Sequence, residues 1–266
     1  RTKPDLVAPG EWITSTFNTT HNAIVAGTSQ ATPHVIGVAA LLMQKYNSTY
    51  GYMPNPSLVK AILMTSVNTT GMQREGHVQR NNVYGAGRID AYEAIRIMNF
   101  TRNSTISQNE MKVYYVNVTN SSAKITLYWP ENSTVSNNLN LIVGNSTFNF
   151  TNPTDSRDNV EQVFIYNNTN GTWKVYVNGT IITGSQIFYL AVDREFIDFI
   201  TIESPLNQTY ATGNLHFNMT VTKQITNATV SIDNGANRTL TNDTSFHYYN
   251  LTIPALSEGV HNATFY

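Results

Sequence analysis

The chain has 266 residues, no cysteine and a formal net charge of −1 at neutral pH. This length suffices for two or three domains of about 100–150 residues each. Charged residues make up 12% of the chain, about half the usual share. They form no basic stripe, so nothing in the composition indicates nucleic-acid binding. Plentiful aromatic and β-branched residues argue against disorder, and no apolar run reaches the roughly twenty residues of a membrane span.

Helical patterns occupy the first 98 residues. The run over residues 31–45 is apolar nearly all round and predicts a buried helix. Pro56 and Ser57 mark the start of a second helix, which extends over residues 57–67. Asp90 is a candidate N-cap for a third helix over residues 89–98.

From about residue 99, apolar and polar residues alternate, and this pattern predicts strands. Asn-Gly pairs at 170–171 and 178–179 are predicted turns between strands. The predicted strands cover residues 112–119, 123–129, 140–143, 162–166, 172–177, 186–192, 216–222, 228–233, 245–251 and 261–266. Short strands at this spacing predict β-sandwich domains.

Twenty Asn residues begin an Asn-x-Ser/Thr sequon with x not Pro, the acceptor pattern of N-glycosylation. Chance alone would give roughly six or seven at this usage of Asn, Ser and Thr. We therefore expect an exported glycoprotein, and the alternative is an Asn and Thr bias of the genome. The candidate glycosylation sites are Asn18, Asn47, Asn68, Asn99, Asn103, Asn117, Asn120, Asn132, Asn145, Asn149, Asn167, Asn170, Asn178, Asn207, Asn218, Asn227, Asn237, Asn242, Asn250 and Asn262.

Residues 27–42, GTSQATPHVIGVAALL, are the chemically informative stretch. Ser29 falls in the first turn of the predicted buried helix, where free backbone amides and the helix dipole favour negative charge. Such amides can hold the oxyanion of a tetrahedral intermediate. Gly27 permits close approach of a substrate or a neighbouring loop. The same features suit a structural N-cap, so the residues alone leave both interpretations of Ser29 open.

This stretch resembles the nucleophile motif of the subtilase family, usually Gly-Thr-Ser-Met-Ala-Thr-Pro-His-Val-x-Gly, with Gln30 in place of the common Met. Residues 3–13, KPDLVAPGEWI, resemble the strand and turn that precede the family's nucleophile. Residues 57–67 resemble the following helix, and residues 84–91, YGAGRIDA, resemble the closing turn and last helix of the catalytic domain. The resemblance therefore predicts that residues 1–98 are the C-terminal segment of a subtilisin-like α/β domain with a parallel sheet.

The resemblance implies peptide-bond hydrolysis through an acyl-enzyme on Ser29, with the Ser29 N–H as an oxyanion donor and Gly27 and Thr28 supporting the site. The family's Asp, His and oxyanion-hole Asn precede the serine, upstream of this sequence. The sequence opens without an initiator Met or signal peptide and ends inside a predicted strand. We therefore expect a piece of a longer protein that is inactive by itself. No cofactor is expected to be required for catalysis.

Asp5 and His34 are not expected to replace the missing partners. Asp5 matches a structural position of the family, and His34 resembles the family's buried structural histidine. No His, Cys, Asp and Glu cluster has the spacing of a transition-metal site. Structural calcium is a hypothesis, with Asp155, Asp158 and Glu161 as candidate ligands and a solvated acidic loop as the alternative.

Two β domains are predicted after the helical segment. Residues 108–194 resemble the β-sandwich appended to many bacterial and archaeal subtilases, and we predict a jelly-roll-like domain there. The family's Asn-Asp-Leu-Asp-Leu stretch is Asn-Asn-Leu-Asn-Leu at residues 137–141, and the loss of both acids weakens the case for calcium. Residues 199–266 resemble immunoglobulin-like modules of prokaryotic surface proteins, and we predict an incomplete immunoglobulin-like domain.

These observations predict an extracellular or surface-attached serine endopeptidase. Its expected partners are the upstream part of the same protease, protein or peptide substrates, N-linked glycans, and cell-surface or S-layer components. The alternative is a glycosylated surface-layer or filament protein that keeps the fold for structural reasons. Retention of Gly27, Thr28 and Ser29 favours the enzyme. Dense sequons, few charges and no cysteine resemble exported proteins of thermophilic archaea, including acid-living ones, because few carboxylates would titrate at low pH.

Overall fold

The computed structural model describes residues 2–72, 80–119, 122–131, 137–145, 149–151, 158–166, 170–197, 200–205, 214–221, 228–242, 248–254 and 259–265. The chain divides into two compact units, Arg1–Ile197 and Asp198–Tyr266. The helices of the first unit are α1 (Thr28–Tyr50), α2 (Pro56–Thr65) and α3 (Ala91–Arg96), and a 3₁₀ turn, Ile97–Asn99, follows α3.

Helix α1 forms where a helix was predicted, but the prediction that it is buried is wrong. Of its side chains only Leu42 and Tyr46 are buried, whereas Ile36 is 63% exposed and Leu41 is 50% exposed. None of the described residues covers this face of α1. The helix is therefore largely exposed, although its sequence is apolar nearly all round. Gly37 also faces open space, because no described residue lies within 4 Å of where a Cβ would stand.

The second and third predicted helices are confirmed, with slightly shifted ends. Helix α2 begins at Pro56, and the side chain of Asn55 caps it by accepting a hydrogen bond from the Ser57 N–H at 2.9 Å. Nearly every side chain of α2 from Leu58 onward is buried. Helix α3 is capped by Asp90, whose Oδ1 accepts a hydrogen bond from the Glu93 N–H at 3.0 Å.

The Asp90 cap makes a measurable contribution to stability. Replacing Asp90 by Ala leaves the Glu93 N–H without its acceptor, and we expect a loss of about 1 kcal/mol in the free energy of unfolding. Asp90→Asn keeps an oxygen acceptor at the same place and should lose only a small part of this. Urea unfolding of both variants measures the difference, and equal losses would contradict the capping role.

The segment at Asp5–Val7 lies beside the segment that leads into α3. The Ala86 N–H donates to the Asp5 carbonyl at 2.8 Å, and the Ile89 N–H donates to the Val7 carbonyl at 2.8 Å. The bridge between Val7 and Arg88 is parallel, and among the described residues it is the only pairing in that direction. The parallel sheet that the resemblance implies is therefore represented here by a single bridge.

Gly85 sits at the tightest point of this contact, and we expect its replacement by Ala to destabilise the first unit. Its φ is +56°, and an added Cβ would lie 2.6 Å from the Asp5 carbonyl oxygen. Strain in the left-handed region and this clash together should cost about 2–4 kcal/mol. Gly184 is the matched control, because its φ is +73° but nothing lies within 4 Å of an added Cβ. Gly184→Ala should cost about 1 kcal/mol, and equal losses in urea unfolding would contradict the clash.

Strands make up the rest of the first unit. They are β1 (Ile13–Thr16), β2 (Asn22–Val25), β3 (Thr101–Ser107), β4 (Met111–Val118), β5 (Ala123–Tyr128), β6 (Asn138–Gly144), β7 (Asn149–Thr151), β8 (Val160–Ile165), β9 (Gly171–Ile181) and β10 (Ser185–Val192). The hairpin β1–β2 precedes α1, and two four-stranded antiparallel sheets follow α3, with orders β3-β10-β5-β8 and β4-β9-β6-β7. Both sheets contribute to one buried cluster, which includes Trp173 and Phe188.

The turn predicted at Asn178 and Gly179 is wrong, because both residues lie inside β9. Gly179 is required there for a different reason. An added Cβ would collide with the Ser107 carbonyl oxygen and lie 3.1 Å from Ile182 Cγ1. The register of β6 against β9 also shifts next to this glycine, and a glycine inside a strand often marks such an irregularity.

Helix α2 packs on the first of these sheets. Tyr189 and Ala191 of β10 belong to the same buried cluster as Leu42 of α1 and Ile62 of α2. Polar contacts supplement the apolar ones, since the Lys124 Nζ donates to the Val67 carbonyl at 2.7 Å. The helical segment and the strands therefore share a core.

The strands of the second unit are β11 (Ile200–Ser204), β12 (Leu215–Val221), β13 (Thr229–Ile232), β14 (Arg238–Thr239), β15 (Thr241–Asn242), β16 (Tyr248–Ile253) and β17 (Ala263–Phe265). They form two antiparallel sheets with orders β11-β12-β16-β15 and β14-β13-β17. The buried cluster of this unit includes Phe217, Val230 and Tyr249.

Candidate active site

Ser29 occupies the second position of α1, in its first turn, and it is exposed to solvent. Gly27 is the N-cap residue with φ 150°, and it adds no side-chain cap to the helix. Its carbonyl instead accepts the Gln30 N–H at 3.1 Å and the Ala31 N–H at 3.3 Å. The helix therefore begins at Thr28, and the Ser29 hydroxyl lies in its exposed first turn.

The backbone amides at this helix end are available for an anion. Among the described residues, none accepts a hydrogen bond from the Thr28 or Ser29 N–H. The first N–H groups of a helix have no partner inside it, and the helix dipole adds partial positive charge at the same place. A negatively charged oxygen near Ser29 would thus be stabilised by the Ser29 amide itself.

Gly10 lies in close contact with the residues at the start of α1. The Gly27 N–H donates to the Gly10 carbonyl at 2.7 Å. A Cβ on Gly10 would lie 2.8 Å from the Gly27 carbonyl oxygen and 3.2 Å from Ala31 Cβ. The small size of Gly27 and Ala31 therefore allows the loop at Gly10 to pack closely against the start of α1. Sequence reasoning quoted Gly10 only as part of a turn and missed this contact, because nothing in the sequence pairs the two loops.

Neither histidine near the serine contacts its hydroxyl. The Nδ1 of His34 lies 2.8 Å from the Gln30 carbonyl, and the Nδ1 of His21 lies 2.7 Å from the Thr20 hydroxyl. Within the described part of the chain, no side chain forms a hydrogen bond with the Ser29 hydroxyl. The expectation that His34 is buried is wrong, because it lies on the uncovered face of α1 and is exposed.

Asp5 is held in a cluster of lysines, away from any catalytic arrangement. Its Oδ2 lies 2.7 Å from Lys3 Nζ and 3.2 Å from Lys60 Nζ. Burial acts to raise the pKa of Asp5, but the hydrogen bonds and charges of the two lysines outweigh it and leave the pKa below its ordinary value. Burial lowers the pKa of Lys60 in turn. These contacts join the N-terminal segment to α2.

Two of the candidate calcium ligands, Asp158 and Glu161, are engaged in other contacts. Asp155 lies outside the described residues. Asp158 is buried and forms an ion pair with Arg80, and it also accepts the Thr2 N–H at 3.2 Å. Among the described residues, no group of three or more His, Cys, Asp or Glu side chains is gathered as for a metal ion. Structural calcium stays a prediction. The pair with Arg80, 78 residues away in the chain, was missed because sequence spacing gives no sign of it.

Glu161 is a buried carboxyl group with one oxygen unpaired. Its Oε2 accepts the Leu141 N–H at 2.5 Å, whereas no described residue pairs with its Oε1. Burial raises the pKa of Glu161 to about 8, although the Leu141 N–H and the charge of Arg80 act against this.

The sequon asparagines differ in accessibility. Eight are exposed, namely Asn18, Asn47, Asn99, Asn103, Asn117, Asn170, Asn237 and Asn262, and five are half-buried, namely Asn68, Asn145, Asn178, Asn218 and Asn250. The remaining seven have side chains outside the described residues: Asn120, Asn132, Asn149, Asn167, Asn207, Asn227 and Asn242. Many sequons are therefore open to modification, and Asn178 is an exception, because its Oδ1 is buried without a partner among the described residues.

Comparison with known proteins decides which family the first part of the chain resembles. The sequence profile of the subtilase family matches residues 1–87, a stretch that contains Ser29 and the loop at Gly10.

Residues 1–87 match the subtilase family.

Individual relatives agree with the profile. The chain is 36% identical over 92 residues to thermitase of Thermoactinomyces vulgaris, and the match covers 35% of this chain and 28% of thermitase. It is 37% identical over 92 residues to M-protease of Shouchella clausii, covering 35% of this chain and 21% of that protein. It is 35% identical over 96 residues to C5a peptidase of Streptococcus pyogenes, covering 35% of this chain and 8% of that protein. The chain thus spans less than a third of these relatives.

No helix in the described part of the chain is both long enough and apolar enough to cross a membrane.

Proposed function

We propose that this chain carries the nucleophile segment of a subtilisin-like serine endopeptidase, with Ser29 as the nucleophile. The observation that carries the proposal is the exposed Ser29 hydroxyl in the first turn of α1, beside its own unpaired amide. Attack by this hydroxyl on a peptide carbonyl would place the developing oxyanion near that amide. The similarity of residues 1–87 to subtilases supports the same assignment.

The proposal includes a proton acceptor and an oxyanion-hole Asn from polypeptide upstream of this sequence. A serine hydroxyl is a weak nucleophile until an adjacent base takes its proton. His34 and His21 are both bound elsewhere, which supports a base from outside the described residues. The exposed apolar side chains of Ile36 and Leu41 on α1 support further polypeptide packing on this face.

We also propose that the protease works outside the cell as a glycoprotein. The support is the sequon excess, together with the exposure of eight of the thirteen described sequon asparagines. Protein or peptide substrates follow from the family. Which peptide bonds are cleaved depends on the proposed upstream polypeptide.

A fluorophosphonate probe, which forms a covalent bond with activated serines, tests this function. We expect the complete protein to be labelled at Ser29, as located by mass spectrometry of the labelled peptide. The 266-residue chain alone should be labelled far more slowly, because the proposed base belongs to the upstream polypeptide. A complete protein that is not labelled would contradict the protease, and equal labelling of the chain alone would contradict the role of the upstream polypeptide.

A further inference from the structure

Three tyrosines pack together at the C-terminal end of α1, far along the helix from Ser29, and two of them are exposed. The ring centroids of Tyr46 and Tyr50 are 4.5 Å apart, and those of Tyr46 and Tyr52 are 5.6 Å apart. Tyr46 is buried, but Tyr50 is 41% exposed and Tyr52 is 59% exposed. We call these three residues the tyrosine cluster. Its solvent-facing rings are amphipathic surfaces with polar tips.

A sequon asparagine is fixed against this cluster. Asn99 ends the 3₁₀ turn, just before β3, and it is exposed. The Tyr50 hydroxyl donates a hydrogen bond of 2.6 Å to Asn99 Oδ1. Among the described residues, none accepts a hydrogen bond from the Asn99 Nδ2. The amide oxygen is therefore oriented by Tyr50, and the amide nitrogen is free to react.

We propose that Asn99 is N-glycosylated and that its first sugar lies on the tyrosine cluster, an inference that rests on the proposed export as a glycoprotein. In this reaction the Asn99 Nδ2 forms a bond with the anomeric carbon of a sugar carried by a lipid-linked phosphate or diphosphate donor. The bond from that carbon to the phosphate oxygen breaks, and the phosphate leaves with the electron pair. One of the two Nδ2 protons is released.

The hydrogen bond from Tyr50 is compatible with the modified side chain. Glycosylation substitutes only the amide nitrogen, so Asn99 Oδ1 can still accept from the Tyr50 hydroxyl. That bond restrains the side chain, so the linked sugar starts beside Tyr50, whose ring centroid is 6.2 Å from that of Tyr52. The C–H face of a sugar can pack on these rings while its hydroxyl groups face water. The sugar linked to Asn99 would thus cover the exposed rings of the tyrosine cluster.

Other sequons lack this arrangement. Asn178 lies in β9 between β4 and β6, with its Oδ1 buried. Asn47 lies inside the long helix α1, before its end at Tyr50. Sequons are typically modified in surface loops, so Asn99 is the better acceptor of the three.

Two measurements on the intact protein from a glycosylating host test the proposal. Mass spectrometry of intact glycopeptides should find sugar on Asn99 and none on Asn178. In thermal unfolding, Asn99→Gln should lower the midpoint by about 2–4 °C when Tyr52 is present and by clearly less in a Tyr52→Ser background. This coupling should disappear in protein from a host that does not glycosylate, because Tyr52 makes no direct contact with Asn99 among those described.

The outcomes are distinct from those of the protease test. Unmodified Asn99 in protein that carries sugar on Asn18 would overturn the site. Modified Asn99 without coupling to Tyr52 would overturn the position of the sugar on the cluster. Absence of sugar at every sequon would overturn the glycoprotein and this inference together, and labelling of Ser29 by the fluorophosphonate would still decide the protease separately.

Discussion

Replacement of Ser29 by Ala in the complete protein is expected to abolish peptidase activity. The change removes the hydroxyl that would form the acyl-enzyme, while the amide and the helix end remain. In subtilisin the loss of the corresponding serine lowers turnover about two-million-fold, and we expect a similar loss in kcat. Hydrolysis of a chromogenic peptide, followed with and without the variant, measures it. The Michaelis constant should change little, because substrate binding does not need the hydroxyl.

Ser48→Ala is the matched control for this variant. Ser48 lies on the same helix, is exposed, and donates its hydroxyl to the Lys45 carbonyl at 2.8 Å. It has no place in the proposed chemistry, so full activity is expected. A Ser29→Ala protein that keeps more than about a thousandth of the turnover would show that another residue is the nucleophile, since binding and oxyanion contacts alone give much less.

Stability of the first unit is expected to fall as the pH rises from about 5 to 8 because of Glu161. Its pKa is about 8 in the folded protein against an ordinary value of 4.5, so the folded state binds this proton more tightly than the unfolded state. Stability from this group is complete below the unfolded pKa and is lost as the pH rises through the folded one. A difference of about 3.5 pKa units corresponds to a loss on the order of 5 kcal/mol.

Glu161→Gln removes this titration and should flatten the dependence between about pH 5 and 8. The amide oxygen can still accept the Leu141 N–H, while the buried NH₂ group adds a cost that does not vary with pH. Urea unfolding followed by tryptophan fluorescence reports on the right part of the chain, because Trp12, Trp129 and Trp173 all belong to the first unit.

Glu110→Gln serves as the control for this titration. Glu110 is half-buried, and its hydrogen bond with Lys112 holds the pKa below its ordinary value. Its stability contribution is therefore lost only as the pH falls below about 4.5, opposite in sign to that of Glu161. The Glu110→Gln protein should keep the wild-type slope between about pH 5 and 8. An unchanged slope in Glu161→Gln would mean that this carboxyl group titrates normally.

Local signals in the sequence predicted the starts of two helices and most of the longer strands. Pro56 and Asp90 marked these helix starts because each acts through neighbours within three residues, whereas α1 extends several residues beyond its predicted bounds at both ends. Seven of the described strands were missed, namely β1, β2, β3, β7, β11, β14 and β15. Strand β3 was missed because its sequence TRNSTIS is mostly polar and its only buried side chain is Ile106. Asn178 and Gly179 looked like a turn because the Asn-Gly pair is common in hairpins, and only the packing of Ser107 on Gly179 explains the glycine in a strand.

Long-range features were beyond sequence reasoning for a physical reason. Burial of α1 was inferred from its composition, but burial depends on what packs against a helix as well as on its own residues. The Arg80–Asp158 ion pair and the Tyr50–Asn99 hydrogen bond join residues 78 and 49 positions apart. Of the candidate site, Ser29 and its helix end were predictable from a motif, whereas the contact of Gly10 with Gly27 required coordinates.

The shared core beneath α2 has a consequence for anyone who wishes to shorten or recombine this protein. Tyr189 and Ala191 of β10 complete the apolar surroundings of Ile62. A truncation after Met98, which the sequence suggests as a natural boundary, would leave that side of the helix in water. A cut after Ile197, where the compact unit ends, keeps the packing of β10 on α2. Any chimaera that uses the helix of Ser29 should therefore include the strands up to Ile197.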